Sequence, residues 1–315
     1  MIDNKEIDNL TFSELWKEYD EYLKIKLKAQ SYRKKSGNFK NHILPYFKDY
    51  LVKDINSKVY LNWMSKIDEK DLKFTFKSSL HFCLVSILNY AIKFYNLNDN
   101  IASKIGDFNK SKGQKKVFDF WTYEEYKKFI TSVDNETYKL LFDVLYFTGM
   151  RIGECLALTW EDYKDNYFDI NKTISKEKNK NGSYIINSPK TPASIRKISL
   201  DSEIVNSLNK LYHEEQRKIG FSDKWFIFGG KKPLSHTTVS RRKNKYCEIS
   251  GIKKIRLHDF RHSHATLLLS LGVSPTILSQ RLGHSDIAMT LNTYSHLIPQ
   301  DYEKMINLIN NLKLK

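Results

Sequence analysis

Between Asn96 and Phe118 the hydrophobic periodicity that runs through the preceding residues stops, and this break commits the chain to two separately folded parts. Within it, SKIGDFNKSKGQKK (Ser103–Lys116) holds five lysines against one aspartate, with two glycines. Such a segment has too little apolar surface for a core of its own. Residues 103–118 therefore read as a basic linker, 1–102 as a first domain and 119–315 as a second. At 315 residues the chain is long enough for two hydrophobic cores, given about 150 residues per domain.

The first part reads as all-helical. Thr11 and Glu14 form a capping box ahead of Phe12, Leu15, Trp16, Tyr19 and Leu23, which recur at helical spacing and predict a helix over 12–28. Further helices are expected over 32–44, stopped by Pro45, over 58–67 after Asn56, and over 72–95. The second part opens on another capping box, Thr122 with Glu125, and reads as mixed structure. Helices fit 123–133, 136–148 and 151–158, and a short antiparallel sheet is expected from strands over 167–175, 183–187 and 195–200. Helices resume over 202–219, 237–249, 258–270, 275–282 and 287–294, with an amphipathic stretch from Gln300 onward. The fold class is thus mainly α with a small antiparallel sheet in the second domain.

Charge narrows the functional classes. Fifty-two Lys and Arg against 36 Asp and Glu give +16, which makes a polyanion the first partner to consider: nucleic acid, then an anionic membrane. No apolar run reaches the ~18 residues of a membrane span, and MIDNKEIDNL lacks the features of a secretory signal, so no membrane and a cytoplasmic location are expected. Cys83, Cys155 and Cys247 are too widely spaced for a metal knuckle and read as buried thiols. Only nine positive residues are arginines, each a candidate for bidentate oxyanion contact.

Candidate chemistry falls in four segments. In TGMRIGECLALTW, Gly149 ends a helix, placing Arg151 on the first turn of the next with Glu154 able to hold its guanidinium. In LHDFRHSHA, His258 and Arg261 share one helical face, where a proton acceptor and a charge clamp could meet one phosphate. Lys190, between Pro189 and Pro192, is expected at a hairpin tip joining two strands. In LGHSDIAMTLNTY, His284 follows Gly283 and Tyr294 comes ten residues later. With a reference pKa near 10, that phenol needs a base and nearby cations to act as a nucleophile. His262 and His264 read as structural, and Arg241 and Arg242 as surface charge or as groove or backbone contacts.

In chain order, Arg151, Lys190, His258, Arg261, His284 and Tyr294 resemble the catalytic set of the tyrosine recombinases, or phage integrases. The resemblance spans nearly the whole chain, with HILPYF at 42–47 similar to a segment of the family's core-binding domain. It implies a two-domain clamp on double-stranded DNA that integrates or excises a mobile element through a 3′-phosphotyrosyl intermediate formed by Tyr294. Arg151 and Arg261 would bind the non-bridging oxygens, Lys190 would protonate the leaving 5′-oxygen, and His258 would accept the tyrosine proton. His284 would hydrogen-bond the phosphate, and Glu154 would brace Arg151. It further implies neither metal nor cofactor, a homotetramer on DNA, a directionality factor or host DNA-bending protein as partner, and a terminal helix that docks on a neighbouring subunit, its alternative being to fold back onto its own domain. About ten residues precede the first expected core helix, so either this member works without an arm-binding domain or the chain begins downstream of one. Rival readings are a chromosome-dimer resolvase, a type IB topoisomerase-like enzyme and a catalytically silent DNA-binding regulator.

Overall fold

The computed structural model describes residues 7–109, 119–178, 182, 184–189 and 191–294, the side chains of 176–178 excepted. The chain divides into two compact units, Met1–Lys115 and Lys116–Lys315.

The first unit is built from α1 (Phe12–Lys26), α2 (Ala29–Asn38), α3 (Leu44–Phe47), α4 (Ser57–Asp68), α5 (Phe74–Tyr95) and α6 (Ile101–Ile105). The Thr11–Glu14 capping box forms as expected, and the stripe Phe12, Leu15, Trp16, Tyr19 and Leu23 is buried. The core is strongly aromatic: Trp16 stacks on Phe39 at 4.3 Å and Phe47 packs on Trp63 at 5.6 Å. Two expectations are corrected here. Pro45 does not stop the second helix, because a π-helical turn over Phe39–Ile43 carries it into α3, where the proline occupies an opening position that needs no N–H bond. The start of the presumed linker is also structured. Ser103–Ile105 lie in α6, Gly106 O accepts from Tyr60 Oη at 3.1 Å, and Phe108 is buried in the core. Composition hid this, since one aromatic residue outweighs its polar neighbours. The remainder of that segment, 110–118, lies outside the described residues.

The second unit comprises α7 (Tyr123–Ile130), α8 (Glu136–Thr148), α9 (Ile152–Cys155), strands β1 (Tyr163–Lys164), β2 (Tyr167–Ile170), β3 (Thr173–Lys178), β4 (Tyr184–Asn187) and β5 (Arg196–Ser199), then α10 (Ser202–Gln216), α11 (His236–Ser250), α12 (Asp259–Ser270), α13 (Pro275–Leu282) and α14 (Ile287–Tyr294). α12 packs along α8, with Trp121, Phe129, Phe142 and Phe260 in mutual contact at the centre. One sheet was expected, and two antiparallel ones form, β1-β2-β5 and β3-β4. Phe168 pairs with Ile198 in the first and Ile174 with Ile186 in the second. β4 and β5 belong to different sheets, and Lys190, expected at a hairpin tip between two strands, lies outside the described residues. The expected helix over 151–158 is a single turn, α9, with Arg151 as its N-cap residue rather than inside its first turn.

Candidate active site

Arg151 is placed by a helix stop. Gly149 ends α8 in the left-handed region (φ 65°), and a Cβ there would lie 2.4 Å from Cδ2 of His264, so only glycine lets α8 and α12 approach here. Two residues on, Arg151 donates through Nη1 to Glu154 Oε1 at 2.7 Å and through its backbone N–H to Glu154 Oε2 at 2.9 Å. Glu154 is buried and also accepts from Arg196 Nη2 at 3.0 Å. Burial alone would raise its carboxyl, but Arg196 and then Arg151 hold it below the usual carboxylate range.

Arg261 is buried on α12 and donates through Nη1 to Gly149 O at 3.1 Å. Its Nη2 is buried and has no hydrogen-bond partner among the described residues. Burial, then the neighbouring Arg151, pushes its pKa down to about 9, with Glu154 opposing. His284 shares a 2.7 Å hydrogen bond with Thr290 Oγ1, and burial followed by Arg261, Arg151 and Arg196 pushes it down to about 4. His258, the N-cap residue of α12, is lowered by desolvation and then by Arg261. Three guanidinium groups and one carboxylate thus share one region with two neutral imidazoles, an excess of positive charge that an anion would neutralise.

Tyr294 ends α14 with its ring buried beside Ala265, Leu269, Leu278 and Leu282. Its hydroxyl shares a 2.6 Å hydrogen bond with His262 Nδ1. Burial pushes the phenol up to about 12, although Arg261 pulls the other way, so it is close enough to feel that cation while remaining protonated. Burial, then His258, pushes His262 down to about 4.

The structure therefore brings Arg151, His258, Arg261, His284 and Tyr294 into one neighbourhood; Lys190 lies outside the described residues. His262, read from sequence as structural, contacts the phenol, and the signal available was its i,i+4 relation to His258, whose ring it meets at 5.3 Å. His264 is structural: Nδ1 bonds Tyr146 O at 2.8 Å and Nε2 accepts from Arg281 Nε at 3.2 Å. Arg242 lies over the Tyr138 ring at 5.7 Å. Among the described residues no cluster of three or more His, Cys, Asp or Glu could hold a metal ion, and no helix is long and apolar enough to cross a membrane.

The family model "Phage integrase family" matches residues 119–301, and "Phage integrase, N-terminal SAM-like domain" matches 11–67. The chain belongs to the phage integrase family. It is a site-specific tyrosine recombinase of the mobile-element integrase type, an enzyme that breaks and rejoins DNA. It is 29% identical to the ICEBs1 integrase of Bacillus subtilis over 299 residues, covering 91% of this chain and 79% of that one. To the integrase of a Staphylococcus phage it is 28% identical over 341 aligned positions, covering 96% and 95%. Its fold resembles that of the Tn1549 transposon integrase solved with circular intermediate DNA (TM-score 0.73, 19% identity, 96% and 100% covered). A lambda integrase dimer bound to a core site is also similar (TM-score 0.65, 20% identity, 93% and 96% covered).

Proposed function

We propose that Tyr294 attacks a scissile phosphate in a duplex attachment site and conserves the bond energy as a 3′-phosphotyrosyl link, so that religation needs no nucleotide cofactor. The observation that carries this reading is the buried Arg261, whose Nη2 lacks a protein acceptor among the described residues beside Arg151 and His284. A phosphate supplies the missing acceptor. Arg151 and Arg261 bind the non-bridging oxygens as charge builds in the transition state, each worth about 10²–10³ in rate. His284 donates a hydrogen bond to the same phosphate. Lys190 protonates the departing 5′-oxygen, and His258 accepts the phenol proton, each contributing about 10²–10⁴.

A second reading of the base is favoured by one distance: His262 Nδ1 is 2.6 Å from the Tyr294 hydroxyl. Alanine variants at 258 and 262, compared by single-turnover cleavage, decide between them, because the true base costs about 10²-fold or more.

The chain acts as a homotetramer on two crossover sites in the cytoplasm, aided by a directionality factor or a host DNA-bending protein. Support comes from relatives solved as a dimer on a core site and as a tetramer on a Holliday junction. Incubation with a nicked suicide duplex tests the core of the proposal. A detergent-stable adduct at Tyr294 and recombinant product are expected; supercoil relaxation without recombinants would instead indicate topoisomerase-like action.

A further inference from the structure

Arg196 is a buried guanidinium bonded to protein through all three of its nitrogens, and no step of the reaction above uses it. Its side chain is 8% exposed and bonds three different segments. Nη2 donates to Glu154 Oε2 at 3.0 Å, Nε to Arg281 O at 2.8 Å, and Nη1 to Ser194 O at 3.1 Å. Each acceptor is covalently close to a proposed catalytic group. Glu154 carries Arg151 on its other oxygen. Arg281 precedes His284 by three residues, and Gly283 between them passes so near that a Cβ would lie 3.0 Å from Arg196 Cδ. Ser194 closes the 3₁₀ turn Pro192–Ser194, which begins two residues after Lys190.

We propose that Arg196, anchored on Arg281 O and Ser194 O, is a positioning residue that sets Arg151 in register on the phosphate through the Glu154 carboxylate the two arginines share. The inference rests on the site assignment above. Each of its three nitrogens already donates to protein and the side chain is 8% exposed, so it acts through its partners rather than on DNA.

Glu154 is shared between two cations, so the trio carries a net positive charge toward the site. Without Arg196, Glu154 and Arg151 become a neutral pair, and Arg151 loses both its fixed position and much of its pull on an incoming anion.

The test is a double-variant cycle on the full chain, reading single-turnover adduct formation and duplex affinity separately. R196A is expected to lower the adduct rate about 10²-fold while affinity changes less than threefold. The R151A/R196A double variant is expected to match R151A within threefold, because one residue works through the other. R196K keeps the charge but loses the fork, and is expected to fall about tenfold at native melting temperature. Losses that multiply in the double variant would overturn the proposal, as would a wild-type rate in R196A. If R196A does not fold, the same cycle with R196K decides by the same criterion. A wild-type adduct rate in R151A would instead sink the site assignment and is distinguishable from failure of the Arg196 relay.

Discussion

The arginine half of the candidate site, proposed to face the phosphate, and the Tyr294 half, proposed to supply the nucleophile, are held by different forces. On one side, Arg151, Glu154 and Arg196 are joined by charge-assisted hydrogen bonds of 2.7–3.0 Å, and Arg261 is anchored to the carbonyl of Gly149. On the other, α14 rests on a small apolar cluster, one hydrogen bond from Tyr294 to His262 and one from Thr290 to His284. The first arrangement fixes direction, because planar forks tolerate little rotation. The second fixes burial without direction, since apolar contact has no preferred angle. On the proposed mechanism, the groups that would bind the phosphate are fixed before DNA arrives, whereas the Tyr294 oxygen starts out hydrogen-bonded to His262.

Substitutions that strike one half and spare the other sharpen this contrast. The largest effect belongs to Y294F, which is expected to bind duplex at wild-type affinity and yield no covalent adduct on a denaturing gel. R261A comes next: single-turnover cleavage should fall about 10²–10³-fold, since the charge is fixed where it is needed. Equal activity in R261A would mean that the charged half does not meet the phosphate.

Acid should weaken the fold through the histidines packed behind the site. His264 is pushed down to about 3, by burial and then Arg281, against an ordinary value near 6.5. Its folded-state pKa is depressed, so the folded state binds fewer protons than the unfolded chain. Full stability is present above about pH 6.5 and is lost progressively as pH falls toward 3. The limiting slope is about 1.4 kcal/mol per pH unit. Thermal melts at pH 7 and pH 5 should show this loss, and H264Q should reduce it by the share of His264, leaving that of His262 and His284. The smallest effect is expected from T290V, which removes the partner of His284 Nδ1 and should cost about 1 kcal/mol by denaturant titration.

Much of this was legible in residue patterns. Capping boxes and apolar stripes marked α1, α7 and α8, because local hydrogen bonds and burial on one helix face suffice to specify them. The motif residues Arg151, Arg261, His284 and Tyr294 could be picked out in order, and Glu154 was matched to Arg151 through its i,i+3 spacing. What stayed hidden depended on contacts distant along the chain. Nothing near Arg196 announces that it meets Glu154 forty-two residues upstream and Arg281 eighty-five residues downstream. The i,i+4 spacing from His258 marked His262, but its contact with the phenol forms only when α14 folds back thirty-two residues later. The division into two sheets was invisible because β3 and β4 pair locally while β2 reaches past them to β5.

The burial of Tyr294 has a consequence for the chain away from its target. A phenol with a pKa near 12, wrapped in leucine side chains, spends the interval between encounters as an ordinary interior residue. Of the groups assigned to the reaction, Arg151 offers part of its side chain to the surface, while Tyr294 and Arg261 are buried. On the proposed mechanism, attack therefore has to wait for a movement that brings the phenol out from between its leucine neighbours.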